Sequence, residues 1–66
     1  MTKEEAVNYI KASGREAVLE NGVVVVITPK PNTKIIKEFE KLIRELRKAG
    51  YMASIGIRGK KVEENV

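Results

Sequence analysis

The dipeptide Asn21-Gly22, which separates two β-prone segments, is the feature that most constrains how this chain can fold. A type I′ turn needs positive φ at both of its central residues, and Asn-Gly adopts that conformation readily. The segment before the turn, 15–20, and the segment after it, 23–28, both favour strands, since the second holds four consecutive valines and an isoleucine. The sequence therefore predicts a β-hairpin closed by a two-residue turn.

A capping-box pattern predicts a helix before the hairpin. Thr2 and Glu5 stand three residues apart, so that each side chain can bond to the backbone N–H of the other. Val7 and Ile10 belong to one apolar stripe, and Gly14 is placed to end the helix. We expect this helix over residues 3–13.

A longer helical pattern follows the hairpin. Pro29 and Pro31 end the second strand, because proline cannot donate to a sheet ladder, and Thr33 is a candidate N-cap. Apolar residues then recur at helical spacing over 34–49, namely Ile35, Ile36, Phe39, Leu42, Ile43 and Leu46. Gly50 is placed to end this helix.

The remaining chain predicts one more strand and a tail. Residues 51–58 alternate in polarity, as a half-buried strand does. One side would hold Tyr51, Ala53, Ile55 and Ile57, and the other side Met52, Ser54, Gly56 and Arg58. Residues 59–66 are rich in Lys and Glu, and we expect them to be frayed.

This order, α-β-β-α-β, predicts a single α/β (α+β) domain over residues 1–66. We expect a two-layer sandwich, in which both helices cover one face of a three-stranded mixed sheet. The final β-α-β unit should cross over right-handed, which makes the second and third strands parallel. The valine-rich strand has the composition of a central strand, whereas the charged first strand suits an edge. Strand order 1-2-3 is therefore favoured, and order 2-1-3 stays open.

The composition excludes several classes of function. The chain has no Cys, no His and no Asp, so we expect no disulfide, no metal site and no cofactor. Most nucleophile–base schemes also lose an essential member, and we do not expect an enzyme. No segment has the pattern of a signal peptide or a membrane span. We therefore expect a cytoplasmic protein that has no membrane partner.

An apolar partner face is the first candidate site. A two-residue turn pairs Leu19 with Val24 and Ala17 with Val26, and this face, free of acids, should meet the helices. The opposite face then carries a cluster of exposed apolar side chains, which are Val18, Val23, Val25, Ile27 and Met52. Such clusters tend to be contact surfaces. Two alternatives are that β-branched residues merely favour strands and that a register shift exchanges the faces.

A basic corner is the second candidate site. The net charge of +4 permits a polyanion partner. Parallel second and third strands would gather six cations beside the N-terminus of the second helix, where anions are favoured. They are Arg15, Lys30, Lys34, Arg58, Lys60 and Lys61. The alternative is ordinary solvated charge.

A basic row on the second helix is the third candidate. It consists of Lys37, Lys41, Arg44 and Lys48, and such a row could follow a phosphate backbone. Two i,i+4 ion pairs, Glu40–Arg44 and Lys41–Glu45, would instead make it an ordinary solvated helix face.

The segment 55–62 resembles the Gly-x-x-Gly loop of K-homology RNA-binding domains through Gly56 and Gly59. In that family the loop joins two helices, whereas these glycines follow a predicted strand and the other elements differ. We carry no function over from the resemblance.

Three hypotheses for function follow. The first is a non-enzymatic interaction module that forms a homodimer, or binds another protein, through the open apolar face of its sheet. The second is a nucleic-acid-binding protein that reads the backbone through the basic corner, since the chain has too few aromatic residues for base stacking. The third is a designed scaffold without function.

Overall fold

The computed structural model describes residues 1–29 and 32–60. The elements follow in the order α1 (Lys3–Ala12), β1 (Glu16–Glu20), β2 (Val23–Thr28), α2 (Thr33–Lys48) and β3 (Ile55–Gly59). They build one sheet in the order β1-β2-β3, in which β1 and β2 are antiparallel and β2 and β3 are parallel. The predicted α+β fold and the strand order 1-2-3 are confirmed. Gly59, predicted to begin the frayed tail, is instead the last residue of β3, and the part of the predicted tail at 61–66 lies outside the described residues.

The hairpin has the predicted turn and register. Asn21 and Gly22 have φ angles of 51° and 75°, as a type I′ turn requires. Leu19 pairs with Val24 and Ala17 pairs with Val26. Because side chains alternate along a strand, this register fixes which residues share each face of the sheet.

The two helices begin at different kinds of cap. At α1 the Thr2 hydroxyl accepts from the Glu5 N–H at 3.1 Å, and the Glu5 carboxylate accepts from the Thr2 N–H at 2.8 Å, which confirms the capping box. The hydrogen bond that the Glu5 carboxylate accepts from the Thr2 backbone N–H, followed by its interaction with the Thr2 hydroxyl, holds the pKa of Glu5 below its ordinary value. At α2 the expected cap at Thr33 is wrong, because Asn32 caps the helix by accepting from Ile35 N–H at 2.9 Å. Asparagine ranks above threonine as an N-cap.

Both helices end in a Schellman motif around a glycine in left-handed conformation. At the end of α2, Gly50 has φ of 98°, and the N–H of Tyr51 donates to the carbonyl of Leu46 at 2.9 Å. Tyr51 is thereby turned back onto the core, where it is buried. The predicted start of the third strand at residue 51 is therefore wrong, and β3 begins at Ile55.

The core lies between the helices and one face of the sheet. Its buried residues come from both layers and form one cluster: Ala6, Val7, Ile10, Ala17, Val24, Val26, Leu42, Leu46 and Tyr51. Two large apolar residues that we expected on the covered faces are exposed, Leu19 by 40% and Ile36 by 46%. Leu19 lies on an edge strand beside the turn. Ile36 lies about 90° around α2 from the centre of its buried stripe, at about 100° per residue.

Candidate functional site

The face of the sheet that points away from the core cluster is the candidate site, and we call it the outer face. The register puts eight residues on it: Glu16, Val18, Glu20, Val23, Val25, Ile27, Gly56 and Arg58. Two rows run across all three strands, Glu16–Ile27–Arg58 and Val18–Val25–Gly56. The acids therefore lie on the β1 edge, on either side of Val18, the other apolar residues lie on the central strand β2, and the arginine lies on the β3 edge.

The four apolar side chains predicted from the hairpin lie together on the outer face. Val23 is 39% exposed, whereas Val18, Val25 and Ile27 are half-buried. Met52 does not belong to this group, because it precedes β3 and lies in the connection from α2, where it is 72% exposed. The prediction of Met52 as a member of the sheet face is wrong, and the reason is the turn of the chain at Tyr51.

Two ion pairs cross the outer face, and sequence reasoning missed both. The Arg58 Nη2 lies 2.6 Å from the Glu20 Oε1, and the Lys60 Nζ lies 3.7 Å from the Glu16 Oε1. Each pair joins the β3 side of the sheet to β1, so its side chains must together span at least about 9.5 Å across β2. The aliphatic stems of Arg58 and Lys60 thus help to shield the apolar middle.

These ion pairs are weak. The side chains of Arg58 and Glu20 are 50% and 40% exposed, and those of Lys60 and Glu16 are 59% and 64% exposed. Exposed pairs contribute about 0–1 kcal/mol, because water screens them and two long side chains lose freedom. They can therefore open when a partner approaches, and the charged groups can then pair with that partner instead.

The six cations of the predicted basic corner have different surroundings. Arg58 and Lys60 are in the ion pairs with Glu20 and Glu16, and Arg15 Nη1 donates to the Ser13 hydroxyl at 2.8 Å. Lys34 is exposed in the first turn of α2. The other two, Lys30 and Lys61, lie outside the described residues.

The basic row on α2 is exposed along its whole length, at Lys37, Lys41, Arg44 and Lys48. Within the described part of the chain, neither expected i,i+4 pair forms, because the ion pairs there are those of Arg58 and Lys60. The Gly-x-x-Gly segment has no loop structure, since Gly56 and Gly59 both lie in β3.

A cavity of about 230 Å³ lies at the end of the core, between β2 and the first half of α2. Its lining is largely apolar, with Val26, Ile35, Phe39 and Leu42 among its residues, and Thr28 supplies a hydroxyl. Two of its charged lining groups are engaged elsewhere, Arg15 with Ser13 and Glu16 with Lys60. We interpret it as a loosely packed end of the core, because its lining offers no pair of unengaged titratable groups for chemistry.

No family model, curated protein or solved structure matches this chain. Among the described residues, no helix has the length and apolar character needed to cross a membrane. The same residues contain no group of three or more acidic, His or Cys side chains that could hold a metal ion.

Proposed function

We propose that this protein is a non-enzymatic interaction module that binds a second copy of itself through the outer face. The observation that carries the proposal is the apolar middle of a sheet face that lies opposite the core cluster. Val18, Val23, Val25 and Ile27 are adjacent there, and a contiguous apolar group on a sheet is typical of a contact surface. Two such sheets pack face to face at about 10 Å, as in a β-sandwich.

The size of the chain supports the same proposal. A domain of 66 residues buries about 60% of the surface that its unfolded chain exposes, which is less than a larger domain buries, and it gains stability from a partner. Three strands about 4.8 Å apart, each about five residues long at about 3.3 Å per residue, present a planar footprint of about 240 Å². This is small beside the roughly 800 Å² of accessible surface that each partner buries in a standard interface. The dimer should therefore be a weak one.

Replacing Val25 with Lys tests the proposal. Val25 is at the centre of the outer face, between Val18 and Gly56, so a cation there would be desolvated by a facing sheet. We expect the Val25→Lys variant to be monomeric and to keep the circular dichroism of the unmodified protein. The matched control is Ile36→Lys, which makes the same kind of change on exposed α2 and should leave association unchanged. A Val25→Lys variant that associates as tightly as the unmodified protein contradicts the proposal.

The exposed cations of α2 favour one second candidate, a protein that binds a nucleic-acid backbone. Lys37, Lys41, Arg44 and Lys48 lie along one helix, and the described residues provide no carboxylate partner for them. Sedimentation with a short duplex at two salt concentrations separates the candidates. If the protein is only an interaction module, adding the duplex leaves its sedimentation unchanged. If it binds the nucleic-acid backbone, it sediments as a complex with the duplex, and the affinity of that complex falls steeply as salt is added.

A further inference from the structure

The outer face has a polarity that determines how two copies can meet. The acids Glu16 and Glu20 lie on β1, and Arg58 lies on β3, with the apolar residues of β2 between them. Lys60, directly after β3, reaches Glu16 across the same face. The face therefore has an acidic edge and a basic edge. The inference drawn from this polarity rests on the proposed function, because it specifies the geometry of that same dimer.

A face-to-face dimer with two-fold symmetry can have two simple orientations. If the axis runs along the strands, β1 of one copy lies over β3 of the other. If the axis runs across the strands, β1 lies over β1, and β3 lies over β3. In a two-fold interface the same patch is used by both copies, so each contact away from the axis occurs twice. The second orientation puts acids over acids and bases over bases, which disfavours it.

We propose that two copies associate with the two-fold axis along the strands, so that the acidic edge of each copy meets the basic edge of the other. Glu16 and Arg58 occupy the same row, with Ile27 between them. This axis preserves the rows, and Glu16 therefore lies opposite Arg58 of the partner subunit. The groups that pair weakly across one sheet in the monomer then pair between two sheets, where less water screens them.

The shape of the face favours the same orientation, independently of charge. Val18, Val25 and Gly56 form one row, so the axis along the strands puts Val18 of each copy over Gly56 of the other. A valine side chain then enters the space that the glycine leaves. The space belongs to the outer face, because a Cβ built on Gly56 would be in ordinary contact with Val25 Cγ2 at 3.5 Å. In the other orientation β1 lies over β1 and β3 lies over β3, so Val18 of each copy does not face Gly56 of the other copy.

A charge-exchanged variant tests the orientation. The quadruple substitution E16K/E20K/R58E/K60E exchanges the acidic and basic edges and keeps both ion pairs within the chain, with their signs reversed. Mixed with an equal amount of the unmodified protein, it would form mixed dimers in about half of all pairs if charge did not matter. We expect the mixed fraction, counted by native mass spectrometry, to fall about fivefold, because each mixed dimer brings like charges together.

The outcomes of the mixing experiment separate the two proposals. An unmodified protein that stays monomeric contradicts the proposed function itself. If the unmodified protein dimerises but the mixed fraction rises above the random value, the dimer exists and the orientation is wrong. A mixed fraction equal to the random value also overturns the orientation.

A second variant gives an answer even if the charge-exchanged chain does not fold. Gly56→Val adds a side chain opposite Val18 of the partner subunit, and we expect the dissociation constant to rise about tenfold, or by about 1.4 kcal/mol. Adding Val18→Ala to that variant should restore most of the affinity. A Gly56→Val variant that associates as well as the unmodified protein, or a double variant that gains nothing, contradicts the proposed orientation.

Discussion

Replacing Gly22 with Val should destabilise the protein by about 1 kcal/mol or more, and the whole effect should come from the backbone. Gly22 has φ of 75°, a region that costs an L-residue about 1–2 kcal/mol and costs a β-branched residue the most. A Cβ at this position would meet Lys3 Nζ at 3.3 Å. That atom ends a flexible and exposed side chain, which can move aside. The lower entropy of valine in the unfolded chain offsets part of the penalty, by less than about 1 kcal/mol.

Thermal unfolding followed by circular dichroism measures this effect. For a domain of this size, 1 kcal/mol corresponds to a change in the melting midpoint of about 4–8 °C. The matched control is Gly22→Asn, which adds a side chain to the same atom but tolerates positive φ, and which should therefore lose less stability than Gly22→Val. Equal midpoints for Gly22→Val and the unmodified protein would refute the reasoning. The turn would then have another conformation, and the assignment of residues to the outer face would fall with it.

Two further predictions concern the core and the N-terminal cap. Leu46 is fully buried and Ile36 is 46% exposed, so Leu46→Ala should cost about 2–5 kcal/mol and Ile36→Ala about 0.5 kcal/mol or less. Equal losses in urea unfolding would contradict the core assignment. The interactions of the Glu5 carboxylate with Thr2 lower the pKa of Glu5 in the folded state. Ionised Glu5 therefore stabilises the fold at pH values above its unfolded pKa, and this stabilisation is lost as the pH falls through the lower folded pKa. Between about pH 6 and about pH 3, the melting midpoint of the Glu5→Gln variant should therefore fall by less than that of the unmodified protein. An equal fall in both proteins would contradict the capping-box account.

The elements that the sequence predicted well are those whose signals are local. Thr2 and Glu5 cap a helix, Asn21-Gly22 closes a hairpin, and Gly50 ends a helix, each through bonds within a few residues. The error at Tyr51 has a different origin. Tyr51 is the first residue of the alternating pattern, but it also fits the position after the glycine of a Schellman motif, where it packs back towards Leu46. The alternating pattern alone does not distinguish a first strand residue from a residue in that motif.

The candidate site was predicted in part for a similar reason. The register of the hairpin follows from its turn, and it brought Val18, Val23, Val25 and Ile27 to one face. The bond between Arg58 and Glu20 crosses a third strand and depends on how far two long side chains reach. We assigned Arg58 to an anion site from its place at the end of a strand, because sequence spacing reports neither the twist of the sheet nor the reach of a side chain across it.

Sedimentation equilibrium of the unmodified protein, over concentrations from micromolar to millimolar, tests the proposed self-association most directly. The mass of one chain is 7.4 kDa. We predict that the average mass rises with concentration towards twice this value, as expected for a weak dimer built on a small apolar face. A mass that stays at that of one chain up to millimolar concentration would contradict the proposal that the outer face binds a second copy.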